Sequence, residues 1–258
     1  MTDTSDDDKY RAPALSKGLD ILELLASGAE GLTQVDIAKT LGRTTPEIFR
    51  MLMVLRQRGY VELGEGDDRY HLSTKMFEVA HRHPPMRRLT SIAGEAMQKL
   101  ADALNQSMHL AILHSGRVLV VAQVDCPDNH LTSVRLGAQV PVADTASGRV
   151  LAAWMAPPAL DRLLAEMAEP EPRRAGFLAD LPGVRAAGYC ESPSLTIAGV
   201  HNLSAPVFDF SGRVAAAVTI PFITRLSGTS TVGPDASRQA LVEMAADLSR
   251  RMGAGARG

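Results

Sequence analysis

The sequence predicts an α+β protein in two parts: an N-terminal winged helix-turn-helix and, beyond a linker helix, a C-terminal antiparallel sheet with helices on its faces. Three observations carry this. Residues 31–72, GLTQVDIAKTLGRTTPEIFRMLMVLRQRGYVELGEGDDRYHL, read as two short helices about a sharp turn and then a β-hairpin. A double proline, Pro84-Pro85, interrupts two helical patterns. Beyond residue 106, apolar β-type runs alternate with helical segments.

Residues 1–12, with Asp3, Asp6, Asp7 and Asp8, are expected to form a disordered acidic tail. Leu15, Leu19, Ile21, Leu22, Leu24 and Leu25 predict a helix over 16–26, capped by Ser16, that packs behind the next two. Thr33 is placed to cap a helix over 34–41, with Gly42 at its end. Thr44 or Thr45 caps the following helix, with Pro46 in its first turn and Glu47 in capping-box spacing from Thr44. Ile48, Met51, Leu52 and Leu55 recur at helical spacing, and Gly59 stops the helix. Strands over 60–63 and 69–72 flank a turn-rich tip, Gly64 to Asp68. The whole motif is expected to span 13–75.

In a winged helix-turn-helix the second helix enters the major groove of double-stranded DNA. That places Thr44, Thr45, Glu47, Ile48 and Arg50 near base edges or phosphates. Arg50 suits a guanine, and Glu47 could accept from a cytosine amino group. Thr33, Lys39, Arg43 and Arg69, the wing's cation, complete the candidate set. A net charge of −2 does not announce a nucleic-acid binder. Between residues 39 and 58, however, Lys39, Arg43, Arg50, Arg56 and Arg58 face one acid, Glu47, and phosphates need only local cations. A solvated polar face is the plain alternative.

Helical patterns over 74–83 and 86–105 form the connector, with linker helices expected over 76–105. His81, Arg82 and His83 lack a third metal ligand and read as exposed residues. The second domain, 106–258, begins with strands over 108–113 and 118–124 about His114-Ser115-Gly116-Arg117. A third strand is expected over 131–136 and a helix over 144–156. Pro157-Pro158 then interrupts, a helix follows over 159–168, and Pro170 and Pro172 frame a loop. Another helix over 177–187 ends at Gly188. Strands over 189–192, 200–208 and 213–222 follow, the last two joined at Asp209 to Gly212, and a helix over 235–252 closes the chain.

Several function classes are disfavoured. The hydrophobic fraction of 45% and charged fraction of 22% are ordinary for a soluble globular chain. No apolar run approaches the roughly 20 residues that cross a bilayer, so no membrane partner is expected. The acidic N-terminus has no signal-peptide chemistry. Cys126 and Cys190 have neither metal nor redox spacing and read as reduced thiols of a cytoplasmic protein. Phosphate-loop, dinucleotide, HExxH and GxSxG signatures are missing, so no enzyme activity, catalytic residue, metal or cofactor is expected. An enzyme built on the second domain and a protein-interaction winged helix remain the alternatives. Asp144, Thr145, Ala146, Ser147 and Gly148 lead into a helix. They fit either a small anion held by backbone N–H groups or ordinary capping by Asp144 or Thr145.

From Ala14 to Met252 the chain resembles the IclR family of bacterial transcription regulators. The resemblance rests on ALSKGLDILELLASG, GLTQVDIAKTLGRTTPEIFRMLMVLRQRGYVEL, MHLAILHSGRVLVVAQV, VRLGAQVPVADTASGRVLAAW and GYCESPSLTIAGVHNLSAPVFDFSGRVAAAVTI, in that order and spacing. It implies a winged helix-turn-helix, a linker helix and a GAF/PAS-like effector-binding domain. It also implies homodimers that pair as dimers of dimers, palindromic operator DNA and a small-molecule effector. The effector pocket it implies lies between the sheet and the helix that starts at Asp144–Arg149, under the loop 189–200. At Ser192, Asn202, Thr219 and Pro221 the chain departs from the pattern of relatives that bind small keto acids, and Ala143-Asp144 stands where histidine-alanine is common. The pocket therefore looks more neutral, with Asn202, Ser204 and Thr219 as hydrogen-bonders. A small organic acid or a neutral catabolic intermediate is the expected effector. His109 and Arg135 face either pocket or solvent, which strand parity leaves open.

Overall fold

The structure is a computed structural model that describes residues 12–28, 30–64, 66–82, 84–129, 132–225 and 232–255. The expected acidic tail up to Arg11, His83 and Leu131 lie outside these. The chain packs as two compact units, Met1–Arg87 and Arg88–Gly258.

The first unit holds α1 (Pro13–Ala26), β1 (Leu32–Thr33), α2 (Gln34–Thr40), α3 (Thr45–Gln57), β2 (Val61–Leu63), β3 (Arg69–Leu72) and α4 (Lys75–His81). Helix α1 starts three residues earlier than its apolar pattern suggests. Pro13 occupies the first turn, where a missing N–H costs nothing, and Ala12, not Ser16, is the N-cap. Thr33 caps α2 by accepting from the Asp36 backbone N–H. Gly42 adopts a φ of +60° in the turn between α2 and α3, a conformation that favours glycine. The wing has three strands, not two: β1 pairs with β3, which pairs with β2. Ile21, Leu25, Ile37, Ile48, Leu52, Val61 and Tyr70 make the core.

The second unit takes in most of α5 (Pro84–Leu104), β4 (Met108–His114), β5 (Arg117–Val124) and β6 (Gln139–Pro141). It continues with α6 (Ala146–Ala152), α7 (Pro157–Glu166), α8 (Glu171–Ala187), β7 (Cys190–Pro193), β8 (Val200–Phe208), β9 (Val214–Ile223) and α9 (Pro234–Arg251). The six strands form one antiparallel sheet in the order β6-β5-β4-β9-β8-β7. Strand alternation sorts its side chains. Leu110, Leu203, Val218 and Ile220 face α5 and α9, whereas Ala111, Val118, Cys190 and Ala217 face α6, α7 and α8.

Three expectations are corrected. Residues 132–136 form no strand; the sheet's third hairpin arm is β6. Helix α6 is shorter than expected at both ends, because Asp144 and Thr145 precede it and it stops at Ala152. Helix α8 begins six residues before 177, with Pro172 in its first turn instead of a loop.

Candidate functional site

In the first unit the candidate surface is the outer face of α3 with its surrounding cations. Helical periodicity buries Ile48 and Leu52 completely, which turns Thr45, Phe49, Arg50 and Met53 outward. Ile48 is therefore a core residue, a correction to its expected place near DNA. Glu47 is also committed elsewhere. Its Oε2 accepts from the Thr44 backbone N–H at 3.1 Å and from the Thr44 hydroxyl at 2.8 Å. Its Oε1 accepts from Lys17 Nζ at 2.6 Å. The Lys17 hydrogen bond, with those from Thr44, brings the Glu47 carboxyl down to about 2. Glu47 thus fixes the start of α3 and ties it to α1, with both carboxylate oxygens engaged.

Lys39, Arg43 and Arg50 are exposed and make no side-chain hydrogen bond or ion pair among the described residues. Thr44 and Thr45 are exposed beside them. Thr33 spends its hydroxyl on Asp36, as cap and as donor to Asp36 Oδ2 at 2.7 Å. Arg69 is half-buried and donates to the Gly31 carbonyl at 3.1 Å, so part of the wing's guanidinium is already occupied. Phe49, 46% exposed, and Met53, 44% exposed, share the outward face with Arg50. Their spacing from Ile48 and Leu52 was the signal that they lie outside.

The second unit's candidate site is a cavity of about 380 Å³ on the α6 side of the sheet. Its floor is set by pairing. His109 sits opposite Thr219, and Thr219 opposite Ser204, so three neighbouring strands carry one polar row. Asn202 and Pro221, themselves a cross-strand pair, continue the floor. Over it, α6 lowers Ser147, whose hydroxyl lies 2.9 Å from that of Thr219; Ser204 lies 2.8 Å from Thr219 on the other side. Thr132 to Val134 and Ser194 to Ile197 close the sides, and Asp144 meets Arg173 at the edge, 2.7 Å apart.

His109 is the unusual member. It is 6% exposed, and its Nδ1 is buried without a hydrogen-bond partner among the described residues. Burial pushes its pKa down to about 4, so the ring is neutral near pH 7. Among the described residues the Ser147, Thr219 and Ser204 hydroxyls are bonded to one another and to no base. The row is equipped to bind.

Asp144, Thr145, Ala146, Ser147, Asn202, Thr219, Pro221 and His109 are brought together around this cavity. Three expected residues are not among its walls. Gly148 is buried, and a Cβ there would lie 2.0 Å from the Val142 carbonyl oxygen, so it serves the close approach of α6. Ser204 lies beside Thr219 on the neighbouring strand, buried and outside the cavity's lining. Ser192 lines a neighbouring cavity of about 530 Å³ that shares Asp144 and Leu195 with the first. That second space is walled by paired charges, Arg149 with Asp180 at 2.7 Å and Glu191 with Arg238 at 3.1 Å. Arg135 is exposed. At the α6 start Thr145 acts as a cap, its Oγ1 accepting from the Gly148 N–H at 3.0 Å, and α6 has seven residues. Burial likewise pushes the Cys190 thiol up to about 11, which leaves it unreactive. Arg173 was missed in the sequence because nothing local links it to Asp144, 29 positions away.

Comparison with known proteins adds an independent line. The profile described as "IclR helix-turn-helix domain" matches residues 14–64. The profile described as "Bacterial transcriptional regulator IclR C-terminal" matches residues 85–250, more than half of the chain. The glycerol operon regulatory protein of Streptomyces coelicolor is 29% identical over 251 residues, covering 94% of this chain and 97% of that one. Among solved structures, Pseudomonas aeruginosa HmgR is similar with a TM-score of 0.75 at 25% identity, covering 93% of this chain and 99% of its own. An IclR homolog from Microbacterium hydrocarbonoxydans, complexed with 4-hydroxybenzoate, shares the fold with a TM-score of 0.77 at 19% identity, covering 93% and 98%.

Proposed function

The chain belongs to the IclR family of bacterial transcriptional regulators, and from that premise we propose how it reads DNA and where it is controlled. It is a DNA-binding transcriptional regulator under small-molecule control, and not an enzyme. Among the described residues no helix is long and apolar enough to cross a membrane, and we place the protein in the cytoplasm.

The outer face of α3 is the reading surface, and the observation that carries this is the set of exposed cations on and around it, Lys39, Arg43 and Arg50, which have no partner among the described residues. Arg50 takes a guanine edge in the major groove, and Phe49 packs on a thymine methyl. Thr44 and Thr45 reach bases or phosphates at the helix start. Lys39 and Arg43 hold phosphates, and Arg69, with Thr33 behind it, steadies the wing near the backbone. Two copies of the chain present paired heads to a palindromic operator, and such dimers pair again. The effector occupies the cavity floored by His109, Thr219 and Asn202, and its presence changes which placement of the paired heads is populated, through the helices over 74–105. A small catabolic intermediate is in keeping with the glycerol-operon name of the Streptomyces relative.

The test is selection of genomic fragments by the purified protein, followed by sequencing. Enrichment of palindromic sites near promoters supports the reading. A winged helix that docks a protein instead enriches no sequence. The control mechanism fails if a ligand binds tightly in the cavity yet leaves operator affinity and promoter output unchanged.

A further inference from the structure

The cavity's hydrogen-bond inventory says what it can hold. Ser204, Thr219 and Ser147 form a chain of three hydroxyls joined by two contacts, 2.8 and 2.9 Å long. Each hydroxyl has one proton to give, so two contacts use two protons and leave a third. Ser204 is 1% exposed and does not line this cavity, so the arrangements that strand no buried donor have Ser204 donate to Thr219. The spare O–H then belongs to Ser147 or Thr219, and both stand on the cavity wall. Beside them the neutral His109 ring carries one N–H and one lone pair, with Nδ1 buried and without a partner among the described residues.

The charges point the same way. Arg173 is the cation and Asp144 the anion of the described wall, and they are bonded to each other at 2.7 Å. An anion drawn to Arg173 meets the Asp144 carboxylate first. At the start of α6 one backbone N–H, that of Gly148, is already taken by Thr145 Oγ1. Val134, Leu195 and Ile197 add apolar wall above the polar floor.

We propose that the effector is an uncharged molecule carrying at least two hydroxyl groups, held by His109, Ser147 and Thr219, and that a free carboxylate or phosphate is disfavoured. This rests on the cavity being the effector site. Its volume, about 380 Å³, is near the lower end of the roughly 300–1,000 Å³ of ligand pockets, so the molecule is compact. One of its hydroxyls meets the His109 ring, and another accepts the spare hydroxyl proton of Ser147 or Thr219.

Isothermal titration of the full chain with matched pairs tests this: glycerol against glycerate, and 4-hydroxybenzyl alcohol against 4-hydroxybenzoate. The uncharged member of at least one pair is expected to bind about tenfold more tightly than its carboxylate, with His109→Leu and Thr219→Val each weakening it by about tenfold. Thermal melts of both variants establish that they fold, and His109→Leu carries the test alone if Thr219→Val does not. Tighter binding by a carboxylate, lost in Arg173→Ala, overturns the ligand class and leaves the cavity as the effector site. Binding that all three variants leave unchanged puts the ligand elsewhere and overturns both. Failure of every uncharged member to bind at tens of millimolar overturns the class.

Discussion

The two units handle polar groups in opposite ways. The helix-turn-helix unit keeps the cations proposed for DNA outside: Lys39, Arg43 and Arg50 stand in solvent, and Glu47 among them is bonded to Lys17. The effector unit buries its working groups and lets them satisfy one another, with His109 Nδ1 left over. A surface built for a polyanion needs charges that water already solvates, so exposure costs it little. A cavity built for a small molecule needs groups whose unmet hydrogen bonds only the right ligand completes. The head should therefore tolerate substitution without unfolding, and the cavity should not.

The sharpest break in that contrast is Gly148→Val. Its added carbons meet the Val142 carbonyl, and a loss of about 3 kcal/mol or more in chemical denaturation is expected. Arg50→Ala, by contrast, should leave stability within about 0.5 kcal/mol.

The next effect is in pH. His109 binds a proton near its ordinary 6.5 when unfolded but only near 4 when folded. The unfolded state therefore holds more protons between those values, and stability falls as pH drops from 6.5 toward 4, by up to about 3 kcal/mol. Melting curves across that window should show the slope in the wild type and its loss in His109→Leu. Glu47 works lower on the scale. Its folded pKa is depressed to about 2 from 4.5, so its stabilisation is complete above 4.5 and is lost as pH falls toward 2. The cavity thus weakens in an acid range where the head's Glu47–Lys17 contact is intact. Equal acid profiles for His109→Leu and wild type erase the distinction.

Smaller still is Thr219→Val, which parts Ser147 from Ser204 at nearly constant volume. A loss of about 1–3 kcal/mol in denaturant midpoint analysis is expected. A neutral result would mean that the hydroxyl chain is dispensable. Smallest is Glu47→Gln: it keeps a cap for Thr44 while losing the Lys17 ion pair, so the profile between pH 4.5 and 2 should flatten with little change near neutrality.

Legibility in the sequence differed between the units for physical reasons. The head is built from contacts close in the chain, so Thr33, Gly42, the Thr44–Glu47 spacing and Gly59 announced its helices and turns. What local pattern could not show was that Glu47 is claimed by Lys17, 30 residues back. In the effector unit the hairpins and the last helix were legible from alternation and periodicity. The starts of α1 and α8 were not, because Pro13 and Pro172 look like breakers yet sit comfortably in first turns. The apolar rhythm of 131–136 resembled a strand but finds no partner over its described residues, whereas Gln139–Pro141 pairs with β5. The cavity was legible residue by residue but not as a whole. The extra residue of the β4–β5 pairing is Val121 on β5, so β4 keeps its alternation; which of its two faces meets the cavity, and so where His109 points, follows from the pairing with Thr219.

The central claim is that the outer face of α3 reads operator sequence while nearby cations grip any duplex. It is tested by measuring the affinities of wild type, Arg50→Ala and Lys39→Ala for a genomically selected operator and for random DNA at one salt concentration. Arg50→Ala should lose about 1–3 kcal/mol on the operator and much less on random DNA, while Lys39→Ala weakens both alike. Equal losses on both DNAs for Arg50→Ala would contradict the account.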